Sequence, residues 1–145
     1  MANGNTRRDV LIVDDHEPTR LLVGRIVSQE LRARVTLAGT CEDALRLASE
    51  KVYDVILLDL LMPGIGGYEV LRQIRAAGPN RGTPVLVLSV MATHESMEQC
   101  RQLGATAFLA KPVDRELVTT MLRSLLTPNR PVRPADTGAS LDGGC

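Results

Sequence analysis

The strongest constraint on this chain's fold is a rhythm in which short apolar runs alternate with stretches of helical period. "VLIVDD" (Val10–Asp15), "RVTLA" (Arg34–Ala38), "DVILLD" (Asp54–Asp59), "PVLVLS" (Pro84–Ser89) and "AFLAK" (Ala107–Lys111) are brief and aliphatic, as strands are. After the first run, Pro18 suits a first helical turn, and Leu22, Val23, Ile26 and Val27 recur at helical spacing. "TCED" (Thr40–Asp43) reads as a capping box ahead of Ala44, Leu45 and Ala48. A third helix starts near Gly67, turns Val70, Leu71 and Ile74 inward and stops by Gly78-Pro79. A fourth spans Glu95–Leu103 and ends at Gly104. Asp114 caps a fifth through Leu125, with Leu117, Val118, Met121, Leu122 and Leu125 as its apolar stripe.

Strand and helix repeated in this way predict an α/β chain: a doubly wound, five-stranded parallel sheet with helices on both faces. The third, fourth and fifth runs are apolar on both faces, which predicts central strands. A length of 145 residues suits one domain, and with no Trp and one Phe its core must be aliphatic. From Thr127 the text changes to "TPNRPVRPADTGASLDGGC", rich in Pro, Gly and small polar residues. The expected organisation is an extension over 1–8, a domain over 9–126, and a disordered tail or linker over 127–145.

Several functions are disfavoured. The 17 basic and 17 acidic residues cancel, so no bulk field draws a polyanion, and direct nucleic-acid binding is not expected. No apolar run approaches the roughly 18 residues of a membrane span, and "MANGNTRRDV" shows no secretory leader, which favours the cytoplasm. Cys41, Cys100 and Cys145 are odd in number and far apart, so neither a disulfide framework nor a zinc site is indicated.

Open parallel sheets bind ligands beyond the carboxyl ends of their strands. There the first run ends in Asp14-Asp15, the third in Asp59, the fourth in Ser89 and the fifth in Lys111. Any one of these alone is a common turn, cap or surface residue. Together they place three carboxylates, a hydroxyl and an ammonium on one edge of an aliphatic sheet. Clustered carboxylates repel unless a cation sits among them, and an all-oxygen donor set suits Mg²⁺ or Mn²⁺ rather than zinc. A phosphoryl group could then be held between metal, ammonium and hydroxyl, with a carboxylate as its nucleophile.

The motifs "LIVDDH", "LLDLLMPG", "VLVLS" and "FLAKP", in this order and spacing, resemble the receiver domain of bacterial two-component response regulators, a flavodoxin-like fold, from about Asp9 to Leu126. The resemblance implies that Asp59 is the phospho-acceptor, taking phosphoryl from a phosphohistidine on a sensor histidine kinase or phosphotransfer protein. It implies metal ligation by Asp15, by Asp59 and by the Leu61 carbonyl, with Asp14 acting through water. Lys111 would pair with the phosphoryl oxygens, with the Lys111–Pro112 peptide cis. Ser89 would reorient on phosphorylation, with Phe108 as switch aromatic. The output surface would be the fourth helix, fifth strand and fifth helix, with a homodimer on phosphorylation left open. Such a domain catalyses only its own phosphorylation and dephosphorylation.

Two positions depart from the family pattern. Gly66 stands where an aspartate is frequent, and Val90 where a small residue is usual. His16 reads as a neighbour of the site, and His94 as exposed. A dehalogenase-type phosphatase would need Asp-x-Asp after the first strand, and an FMN binder a Ser/Thr-rich phosphate loop; neither is present. The remaining alternatives are a degenerate receiver acting as a binding module, and the receiver part of a larger transcription regulator or hybrid kinase.

Overall fold

The computed structural model describes residues 7–126 except residue 91, so the expected tail over 127–145 lies outside the described residues. The elements are β1 (Asp9–Val13), α1 (Glu17–Leu31), β2 (Arg34–Ala38), α2 (Cys41–Glu50), β3 (Val55–Asp59), α3 (Gly66–Ala76), β4 (Val85–Ser89), α4 (His94–Gln102), β5 (Ala107–Ala110) and α5 (Arg115–Leu126). The strands form one parallel sheet in the order β2-β1-β3-β4-β5.

Side chains alternate across each strand, and the sheet uses that period to build two cores. Val10, Ile12, Val55, Leu57, Leu86 and Leu88 face α1 and α5, where Val23, Ile26, Val27, Val118 and Leu122 meet them. Leu11, Val13, Ile56, Leu58, Val85 and Val87 face the opposite layer, meeting Ala44, Ala48, Val70, Leu71, Ile74 and Cys100. Every residue of β3 and β4 is buried, so both strands must be apolar on each face.

Three sequence expectations need correction. β5 is an edge strand rather than a central one: Phe108 is half-buried and Ala110 exposed. β1 takes an interior place instead, pairing with both β2 and β3. Leu22 and Leu117 leave their stripes for solvent, at 49% and 48% exposure, while Thr119 and Leu126 are buried instead. α1 and α5 pack on each other as well as on the sheet, and this rotates their inward faces away from those two leucines. Lastly, β1 stops at Val13 and β5 at Ala110, so Asp14, Asp15 and Lys111 stand on loops just past the strands.

The edge of the sheet opposite those loops is closed by hydrogen bonds. Asn80 is buried; its Nδ2 donates to the Ala48 and Lys51 carbonyls, and its Oδ1 accepts from the Tyr53 amide and the Thr83 hydroxyl. Asp9 accepts from Arg34 and Lys51, and its amide donates to Asp54 at 2.7 Å. Arg7 Nε reaches the Arg32 carbonyl, and Arg123 from the last turn of α5 reaches the Glu30 carbonyl.

Candidate functional site

From β1 the chain crosses to β2 on one side, and β3 lies on the other, so the strand order reverses at β1. A crevice opens beyond the carboxyl ends there, where open α/β sheets bind ligands. The Asp59 carboxyl stands in it because β3, buried along its length, ends at that point. Asp14 and Asp15 arrive from the loop after β1. One carboxylate oxygen from each of the three acids falls within 4.8 Å of the others. Lys111, from the loop after β5, sets Nζ 2.8 Å from Asp14 Oδ2 and 3.5 Å from Asp59 Oδ2. The Lys111–Pro112 peptide is cis.

The cluster is held from several sides. Asp14 is buried; its amide donates to the Ala38 carbonyl, and its Oδ1 accepts from the His16 amide at 2.9 Å. The Leu61 amide donates to Asp59 Oδ1 at 3.3 Å. Burial pushes the Asp59 carboxyl up to about 6; the Lys111 ammonium opposes that shift and the charge of Asp14 adds to it. Asp15 remains exposed.

An open cleft of about 520 Å³ leads to the acids, lined by Asp15, His16, Thr19, Asp59, Leu61, Val90, Lys111 and Pro112. Leu61 and Val90 are apolar but stand open to solvent at 44% and 66% exposure. Ser89 closes β4 with no solvent exposure, and Phe108 packs beside the core next to Val87. Thus Asp15, Asp59, Lys111, Leu61 and Val90 share one mouth, with Asp14 buried against Lys111, whereas Ser89 and Phe108 sit in the wall of the sheet.

The loop after β3 owes its path to glycine. Gly64 and Gly66 have φ of +89° and +86°, a region costly for other residues. At Gly67 a Cβ would fall 2.5 Å from the Asp59 carbonyl oxygen, so the start of α3 lies directly on the end of β3. With Gly66 in place of an acid, α3 begins without a side-chain cap. Two polar contacts escaped the sequence reading. His16 is the N-cap of α1, its Nδ1 accepting from the Thr19 amide and lying 2.7 Å from Thr19 Oγ1. Arg20 Nη1 donates to the Asp14 carbonyl at 2.7 Å. The first was signalled faintly by Pro18 just inside a helix start; the second had no local signal. His94 is exposed, as expected.

A family model for the response regulator receiver domain matches residues 10–123. The chain belongs to the response regulator receiver family. The receiver is similar to the sensory/regulatory protein RpfC of Xanthomonas campestris pv. campestris, 37% identical over 88% of this chain. That match takes in only 18% of RpfC's length. Among solved structures it resembles the receiver domain of the sensor histidine kinase PA1611 from Pseudomonas aeruginosa, which holds a magnesium ion in its active-site cleft. Identity there is 30%, the TM-score 0.76, and the coverage 83% of this chain and 98% of that one. It also resembles Vibrio cholerae chemotaxis protein CheY4, at 30% identity and a TM-score of 0.78 over 83% of this chain and 100% of that one. The receiver is therefore a component of two-component signalling, and its five-stranded sheet is the family's fold.

Proposed function

We propose that Asp59 is the phospho-acceptor of this receiver. One observation carries the reading: the buried Asp59 carboxylate shares a 4.8 Å cluster with Asp14 and Asp15, and the Lys111 ammonium lies 3.5 Å from it. Asp15 and Asp59, with the Leu61 carbonyl, would hold Mg²⁺ or Mn²⁺ directly, and Asp14 would act through a bound water. The three-acid, all-oxygen donor set within 4.8 Å fits such an ion. When bound, the ion supplies charge neutralisation for the carboxylates and for the phosphoryl oxygens.

The chain's own groups do the rest. An ionised Asp59 oxygen attacks phosphorus in line; the O–P bond forms as the N–P bond of a phosphohistidine breaks, and the departing imidazole takes up a proton. Ionisation matters because burial raises this carboxyl to about 6 in the metal-free protein, and a bound cation would favour the charged form. Lys111 leaves Asp14 to pair with a phosphoryl oxygen. Ser89 then turns toward the new charge, and Phe108 follows inward, altering the α4, β5 and α5 surface for an output partner or a second copy. The donor is a histidine kinase or a phosphotransfer protein, the setting cytoplasmic, and the only chemistry gain and loss of this phosphoryl group. The unit is assigned to residues 9–126, with 1–8 an extension and 127–145 a tail or linker.

Acetyl phosphate with Mg²⁺ tests the assignment. Intact mass should rise by one phosphoryl group in the wild type and not in Asp59→Asn. A phosphoryl gain retained in that variant would move the acceptor elsewhere. No gain from acetyl phosphate or from a phosphorylated histidine kinase would favour a degenerate receiver that binds partners without phosphorylation.

A further inference from the structure

The acid pair after β1 is steered by a residue outside the carboxylate cluster. The last ladder bond on this side joins the Asp14 amide to the Ala38 carbonyl at 3.0 Å. The Asp14 carbonyl lies beyond it and accepts instead from Arg20 Nη1 at 2.7 Å. That carbonyl belongs to the peptide plane linking Asp14 to Asp15, and the plane is rigid. Fixing its oxygen therefore fixes the direction in which the backbone sends the exposed Asp15 side chain. Arg20 stands in the first turn of α1, its amide already bonded to the His16 carbonyl at 2.9 Å, so the guanidinium has a firm base. Room for it comes from Gly39, where a Cβ would sit 2.9 Å from Arg20 Nη1 and 3.3 Å from its Cζ.

We propose that Arg20 is a positioning residue for the cation site: its bond to the Asp14 carbonyl, over the space left by Gly39, aims Asp15 at the position a divalent ion occupies. The inference rests on the metal-site reading given above. It runs against simple electrostatics. A guanidinium near three acids competes with a cation, so removing its charge alone should tighten metal binding. Arg20 is bonded to the backbone rather than to a carboxylate, and this makes alignment the larger effect.

Gly39 allows the two effects to be separated. Its backbone lies outside the left-handed region, and an added methyl would meet only the flexible end of Arg20. Gly39→Ala should therefore push the guanidinium off the carbonyl while keeping the charge and the fold. Mg²⁺ is titrated into ¹⁵N-labelled protein, and the apparent Kd is read from amide shifts around Asp15 and Asp59 in the wild type, Arg20→Met, Arg20→Lys and Gly39→Ala. Arg20→Met and Gly39→Ala should each weaken Mg²⁺ by about three- to tenfold. Arg20→Lys should recover part of the loss, because an ammonium can donate to the same oxygen. In acetyl phosphate reactions the half-saturating Mg²⁺ concentration should rise by a like factor, with the rate at saturating Mg²⁺ little changed. Unchanged or tighter binding in Arg20→Met overturns the positioning role, as does unchanged binding in Gly39→Ala, even if the wild type binds Mg²⁺ normally. A wild type that binds no Mg²⁺ overturns the metal-site reading and this inference with it.

Discussion

The Asp59 carboxyl has its pKa raised to about 6 because burial strips water from its charged form. A carboxyl raised above its ordinary value binds its proton more tightly when folded. Its stabilising contribution is complete below about 3.8 and is lost as pH climbs through about 6. In the metal-free protein, Asp59→Asn should then be more stable than the wild type by on the order of 1–2 kcal/mol above pH 6. The two should converge toward pH 4. Urea unfolding in EDTA across that range checks the sign, and a gap widening at low pH would contradict it. With Asp59 as the proposed acceptor, phosphoryl lifetime should depend on the cleft mouth. Leu61 and Val90 line the approach and neither side chain can orient a water. Leu61→Asn and Val90→Ala should each speed loss of phosphoryl in Mg²⁺ by several-fold, read from decay of the phosphorylated mass. At this scale the sequence was informative where a polar residue interrupted an apolar run, as at Asp14, Asp59 and Lys111. It was silent on Arg20, whose partner is a backbone oxygen made available only by the folding of α1 past Gly39.

Helices and strands differ in how firmly they are held. α3 is set by backbone contact: Gly67 lies against the Asp59 carbonyl and Leu60, with its amide donating to the Leu60 carbonyl at 3.0 Å. Gly67→Ala should cost about 2–4 kcal/mol by forcing α3 off the end of β3, a backbone clash that repacking cannot relieve. Denaturant unfolding measures the loss. α4 is anchored lightly, burying Ser96 and Cys100, whereas α5 buries Val118, Thr119, Leu122 and Leu126. Amides of α4 should therefore exchange with deuterium before those of α5. Helix existence was readable from the period of the apolar residues. Which leucines stay wet was not, because Leu22 and Leu117 depend on how α1 meets α5 rather than on either helix alone.

In the whole molecule, cation binding and folding are linked by mass action. Mg²⁺ at about ten times its Kd should stabilise the protein by roughly 1.4 kcal/mol, raising Tm by a few degrees. With no Trp and two Tyr, circular dichroism is the practical probe. The rise should vanish in Asp15→Asn; an equal rise there would refute the ligand set. The parallel sheet itself followed from alternation of strand and helix, but its order did not. The text of β5 is as apolar as that of β3, and only the crossovers make one an edge and the other central.

The hydrogen-bonded pole of the sheet has a consequence for connectivity. Arg7 leans on the Arg32 carbonyl, Asp9 pairs across to Arg34, and Arg123 in the last turn of α5 ties to Glu30. Both ends of the described chain thus emerge side by side at that pole, and Asp59 faces away at the other. A domain threaded on this way can hang like a bead with both strings on one side. A fluorescent reporter fused directly at residue 7 or residue 126 would therefore start from the pole away from the carboxylates.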